Sequence, residues 1–136
     1  MAELARAGSP ELRRLVSLCS GGEDPLGCLD AIIRDRYRFR DEWNEVVRTP
    51  RAMLDDLETR GFVEGDCDCV STFFCAGALA LGYPCRFVAI KTEDGPDFAH
   101  VFTEALESGR WRRFDATVPL SLVDVEVEYG RFVQYV

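Results

Sequence analysis

The sequence predicts an α+β domain, with helices first and an antiparallel sheet after them. Three observations carry that expectation. A capping residue followed by proline occurs at Ser9-Pro10, Asp24-Pro25 and Thr49-Pro50, each marking a helix start. From Cys69 to Cys85 there is no charged residue, although the chain is 29% charged, and Cys67, Val70, Phe74, Ala78 and Leu81 recur at helical spacing. Beyond that run the period shortens to alternation, and Glu107-Ser108-Gly109 marks a hairpin.

The first helix presents Leu12, Leu15, Val16 and Cys19 on one face and stops at Gly21-Gly22. The second carries Leu26, Leu29, Ile32 and Ile33, and runs into Arg34 to Arg40, where charged and aromatic residues alternate like a short strand. The third spans Pro50 to Arg60, with Met53, Leu54 and Leu57 inward and Gly61 as its stop. The loop from Gly61 to Gly65 delivers the chain to a central helix capped by Asp66 and ended by Gly82-Tyr83-Pro84. Because Phe73, Ala76, Leu79 and Ala80 fill its remaining faces, that helix should be buried all round. Strands are expected at Arg86–Ile90, Phe98–Leu106 and Arg110–Val118. The alternating Leu122–Tyr129 gives a further strand, with a return over Phe132–Val136. Residues 1–136 read as a single domain, without repeats or linkers.

Composition excludes some functions. At 47% hydrophobic the chain can bury a sizeable core, and its net charge of −8 argues against nucleic acid, which needs a basic stripe. The same charge favours neutral or cationic substrates. The uncharged run is too short and too interrupted to span a bilayer, so no membrane partner is expected. With no signal peptide opening the chain, a cytoplasmic location is expected, and the six cysteines are expected as free thiols. No metal or other cofactor is expected, because Cys67-x-Cys69 with one distant histidine fits a zinc site badly.

The chemistry concentrates on three residues. Cys67 opens the central helix, where unpaired N–H groups and the positive end of the helix dipole favour a thiolate. His100 is the sole histidine. If Ser108 and Gly109 are the central turn residues, Phe102 faces Asp115 and His100 faces Thr117. His100 and Asp115 are then diagonal neighbours on one face. Thiol, imidazole and carboxylate together suit nucleophilic acyl transfer: the base takes the thiol proton, and the carboxylate orients the base and stabilises its cation.

Those residues carry a resemblance. Gly65-Asp66-Cys67-Asp68, the helix ending Leu81-Gly82-Tyr83-Pro84-Cys85-Arg86-Phe87-Val88, Phe98-Ala99-His100-Val101-Phe102 and Trp111-Arg112-Arg113-Phe114-Asp115-Ala116-Thr117 resemble the core of the transglutaminase-like superfamily, over about residues 25–118. Tyr37-Arg38-Phe39 and Val47-Arg48-Thr49-Pro50 resemble the lead-in of bacterial members. The resemblance implies a papain-like core with Cys67 as nucleophile, His100 as base and Asp115 as third member. It implies a thiol peptidase or amidase acting on a peptide or protein. The alternatives are a glutamine–lysine cross-linking enzyme, or a binding or assembly module that keeps the fold without the chemistry. Cys69 stands where the family often has an acidic residue, which admits it as the working thiol, as a resolving partner for an oxidised Cys67, or as part of a redox or metal site. Trp43 or Asn44 are candidates for a second oxyanion donor, and Asp97 is a competitor to Asp115.

Overall fold

The computed structural model describes residues 1–41, 47–124 and 130–136. It is mixed helix and antiparallel sheet, as expected. The chain opens in a helix the sequence reading did not assign, α1 (Ala2–Gly8), whose Ala2 and Ala5 are buried. Ser9–Leu12 is a 3-10 turn and α2 (Arg13–Val16) follows. Ser9-Pro10 is therefore a junction between helical turns. Ser9 closes α1, its N–H donating to the Ala5 carbonyl, and Pro10, which lacks an N–H, sits in the opening of the 3-10 turn.

The other two starts behave as read. In α3 (Pro25–Arg36) the Asp24 carboxylate accepts from the Gly27 N–H at 3.0 Å. In α4 (Pro50–Arg60) the Thr49 hydroxyl accepts from the Ala52 N–H at 3.1 Å. Cys19 and Cys28 are joined in a disulfide, which corrects the expectation of free thiols throughout. Packing of both segments on the central helix brings their Cα atoms to 5.6 Å, within bridging reach. Such bonds belong to oxidising compartments, so the cytoplasmic expectation loses the thiol half of its support. No described helix is long and apolar enough to cross a membrane.

The expected strand over Arg34–Arg40 is shorter, since Arg34 and Arg36 stay in α3. β1 (Tyr37–Phe39) pairs parallel with β2 (Val63–Gly65), Tyr37 opposite Val63 and Phe39 opposite Gly65. α5 (Cys67–Ala80) is the buried helix, touched by α1, α2, α3, α4 and the sheet. It ends as a Schellman motif. The Tyr83 N–H donates to the Ala78 carbonyl and the Gly82 N–H to that of Leu79, with Gly82 at a φ of 94° that disfavours a side chain.

The main sheet has the order β5-β4-β3-β6, all antiparallel, built from β3 (Cys85–Ile90), β4 (His100–Glu107), β5 (Arg110–Phe114) and β6 (Arg131–Tyr135). The β4–β5 register is the one the Ser108-Gly109 turn implies, with Glu107 opposite Arg110 and Thr103 opposite Phe114. Both strands are shorter than read, because Asp115 leaves the ladder. Leu120–Leu122 is a 3-10 turn, and Val123 is buried from a turn, so the first residues of the expected Leu122–Tyr129 strand are not strand. The rest of that stretch lies outside the described residues.

Two buried polar bonds fix α5 on the sheet. The Thr103 hydroxyl donates to the Ser71 carbonyl at 2.9 Å, and the Ser71 hydroxyl donates to the Val101 carbonyl at 3.3 Å. Phe74 stacks on Phe114 with centroids 4.6 Å apart, which ties the same helix to the end of β5. Phe73, 1% exposed, fills the core beneath. Phe73→Ala is expected to destabilise the fold by about 3–5 kcal/mol in urea unfolding, through lost burial plus the cavity left behind.

Candidate active site

Cys67 is the first residue of α5, where the N–H groups of the opening turn have no intrahelical acceptor. Asp66 caps the helix, its carboxylate accepting from the Cys69 N–H at 3.2 Å. Gly65 is required on its approach, because a Cβ there would lie 2.4 Å from the Cys69 Cβ. The Tyr37 hydroxyl donates to the Gly65 carbonyl at 2.6 Å and holds that approach from β1. Burial, and then the negative charge around Cys67 and Asp66, keeps the Tyr37 phenol far above its usual pKa, so it remains a donor.

Cys69 points elsewhere. It is fully buried, and its sulfur accepts from the Arg48 N–H at 3.3 Å. Burial, foremost, pushes its thiol up to about 11. Cys67, by contrast, is only partly buried. A thiol held neutral inside the fold is a poor nucleophile; Cys69 serves to pin the segment before α4 against the start of α5.

His100 opens β4 and faces the Cys67 thiol, which is among the groups that raise its pKa. Its Nε2 meets Asp115 Oδ2 at 2.5 Å. The other Asp115 oxygen accepts from the Thr117 N–H at 3.1 Å and from the Thr117 hydroxyl at 2.6 Å. This local turn ends β5 at Phe114 and takes Thr117 out of the pairing with His100 that the hairpin register alone implies. Exposure falls along the series: the His100 side chain is 15% exposed and that of Asp115 1%. Burial disfavours the imidazolium, but the bonds to Asp115 and Cys67 outweigh it and push His100 up to about 10. Burial likewise opposes the Asp115 carboxylate, and the His100 and Thr117 bonds overcome it, leaving its pKa below the usual value.

The structure thus brings Cys67, His100 and Asp115 together, with the imidazole bonded to the carboxylate and the thiol among the groups acting on the ring. Asp97 remains exposed in its loop. Trp43 and Asn44 lie outside the described residues. Among the described residues no three His, Cys, Asp or Glu side chains are grouped to hold a metal. A hollow of about 560 Å³, lined in part by Arg34, Trp111, Arg112 and Leu120, includes none of the three residues.

The sequence reading missed three supports of the site. Thr117 was legible in principle, since Asp-x-Thr is a turn signal. Tyr37 and Arg34 had no local signal. Arg34 reaches the carbonyls of Asp115 and Val118 from α3, 81 and 84 residues away in sequence.

Comparison with known proteins agrees with this fold. The family model of the transglutaminase-like superfamily matches residues 18–116, most of the chain, and the chain belongs to that superfamily. A solved structure from Cytophaga hutchinsonii, described as a candidate cysteine protease, has the same fold at a TM-score of 0.63 and 21% identity. The match covers 91% of this chain but 42% of that one, so this chain spans less than half the length of its structural neighbour. No curated protein sequence matches the chain.

Two measurements check the site. Brief iodoacetamide treatment of the native protein, mapped by mass spectrometry, should label Cys67 first. Denaturation should then expose Cys69, Cys75 and Cys85, and only reduction should release Cys19 and Cys28. Early labelling of buried Cys75 or Cys85 would sink the assignment. The second measurement follows from linkage. A His100 pKa raised from 6.5 to about 10 stabilises the fold fully below pH 6.5, and that contribution is lost as pH rises through 10. The difference in urea midpoint between wild type and His100→Gln should therefore shrink between pH 7 and pH 10.5. A constant difference counts against the ion pair.

Proposed function

We propose that the chain is a thiol-dependent amide hydrolase, a peptidase or amidase, acting on a peptide or protein. The observation that supports this most is the series Cys67–His100–Asp115, in which an imidazole bonded to a buried carboxylate faces a partly exposed thiol. In this reading the Cys67 sulfur attacks the amide carbonyl carbon, and His100, carrying a proton, delivers it to the departing amine as the C–N bond breaks. Water then attacks the resulting thioester while His100 takes its proton. The acid leaves and Cys67 is restored. Asp115 keeps the ring oriented and its cation stable throughout.

Hydrolysis is preferred over glutamine–lysine cross-linking for a physical reason. Cross-linking requires a thioester shielded from water yet open to a dilute amine. Among the described residues Cys67 stays partly exposed, which leaves a thioester there open to water. Glu93, Asp94 and Asp97 in the exposed 92–97 loop, with a net charge of −8, favour cationic substrates by long-range attraction. Attraction concentrates an amine but does not exclude water.

A library of fluorogenic peptides and isopeptides, read with wild type and Cys67→Ala, tests the reading. His100→Ala should destabilise the fold without unfolding it at neutral pH and should abolish turnover. Asp115→Asn should lower the rate by about 10²–10⁴, because it misorients the base without removing it. The alkaline limb of kcat/KM should fall near pH 10, where His100 loses the proton it must donate, and Asp115→Asn should move that limb to lower pH. A glutamine peptide offered with excess labelled primary amine should be hydrolysed faster than it is labelled. Faster labelling would make the protein a cross-linking enzyme, and no product with a reactive Cys67 would favour the binding module.

A further inference from the structure

We propose that Arg34 is a positioning residue of the site: seated on Asp30, its guanidinium grips the main chain at Asp115 and Val118 and so aims the Asp115 carboxylate at His100. This rests on the triad reading above and adds to it a device on a distant helix.

After Phe114 the ladder to β4 ends, so nothing in the sheet any longer fixes the peptide planes that carry Asp115. The turn that follows is loosely closed on its own, with the Val118 N–H 3.4 Å from the Asp115 carbonyl. Arg34 supplies what the ladder no longer does. Its Nη2 donates to the Asp115 carbonyl at 2.6 Å and its Nη1 to the Val118 carbonyl at 2.5 Å. Its Nε donates to Asp30 Oδ2 at 2.7 Å, one turn back on α3. A planar guanidinium with its three nitrogens engaged cannot rotate, so both ends of the turn are held in one orientation. Within that frame Thr117 takes Asp115 Oδ1, and Oδ2 is left facing His100.

Asp30 makes the arrangement expensive for a merely structural tie. It is 5% exposed, and its Oδ1 has no hydrogen-bond partner among the described residues. Burial, only partly offset by Arg34, raises its pKa. A buried ion pair with one oxygen unsatisfied adds little net stability, and apolar residues of similar size would serve packing as well. Its distinctive product is direction: a fixed guanidinium, pointing at the backbone of Asp115.

The test uses the fact that His100 is the sole histidine of the sequence, so its imidazole NMR signals need no assignment. Among the described residues, the titratable groups acting on it are Asp115 from the turn after β5 and Cys67 from α5, with Tyr37 near both. The variants are Asp115→Asn, Arg34→Lys, and the paired replacement Asp30→Asn with Arg34→Met, which leaves no stranded buried charge. Retained protection of Cys75 from a thiol reagent shows that each is folded. The wild-type midpoint is expected near 10, and Asp115→Asn should lower it by about one to three pH units. The paired replacement should lower it by about one unit, with Arg34→Lys between it and wild type, because one ammonium cannot hold both carbonyls. Added to Asp115→Asn, the paired replacement should shift the midpoint no further. A folded paired variant that titrates like wild type, or a shift that adds in full to that of Asp115→Asn, overturns the role of Arg34 alone. An unchanged midpoint in Asp115→Asn overturns the triad reading, and this inference with it.

Discussion

The contact between Ser71 and Thr103 governs where everything else in the site can be. Each residue gives a side-chain hydroxyl to the main chain of the opposite element, or of its neighbour, inside a core where neither group meets water. Sliding α5 along β4 by even one residue would break both bonds and leave two buried polar groups unpaired, at about 1–3 kcal/mol each. Apolar packing alone tolerates such slides far better, since Phe73 and its neighbours can repack against several surfaces. Cys67 lies one helical turn before Ser71, and His100 directly precedes Val101. The clasp therefore sets the meeting of thiol and imidazole before either contributes energy of its own.

From that fixed point the site runs inward. Thiol and imidazole are both partly covered, and the carboxylate is buried. In a low-dielectric surround the Asp115–His100 pair attracts strongly, which is why the imidazolium persists so far above its ordinary range despite burial. The same surround would punish a carboxylate whose lone pairs were unmet. Thr117 meets one oxygen and His100 the other, so the pair is close to fully satisfied. Breaking any one of these bonds exposes the rest to the full cost of burial.

Much of this was legible in the sequence, and the boundary has physical causes. Local grammar was reliable where one residue type dictates one conformation: Asp24, Thr49 and Asp66 cap their helices, Gly82 closes α5, and the Ser108-Gly109 turn fixes the β4–β5 register. That register brought His100 and Asp115 together on paper. Grammar failed at Ser9-Pro10, where a preceding alanine-rich helix turned an apparent start into a junction. It failed again at Leu122–Asp124, where an alternating pattern proved to be a turn with one buried valine, because alternation reports facing and not pairing. The Cys19–Cys28 bond and the reach of Arg34 had no local signature at all. Both depend on α3 being laid against distant segments by its packing on α5.

Cys67 and Cys69 show how little separates a reactive thiol from an inert one on such a scaffold. They are two residues apart in the same helical turn, so their side chains diverge by about 200° around the helix axis. One direction leads to the imidazole and partial exposure. The other leads inward to the Arg48 N–H and to Gly65, whose missing side chain makes the room. A weak backbone donor stabilises the Cys69 sulfur a little, but burial dominates and holds its proton in place to about pH 11. Charge-stabilising partners and solvent access are thus given to one sulfur and withheld from the other by helix geometry alone. An acidic side chain in place of Cys69 would face that same inward direction, toward the Arg48 amide.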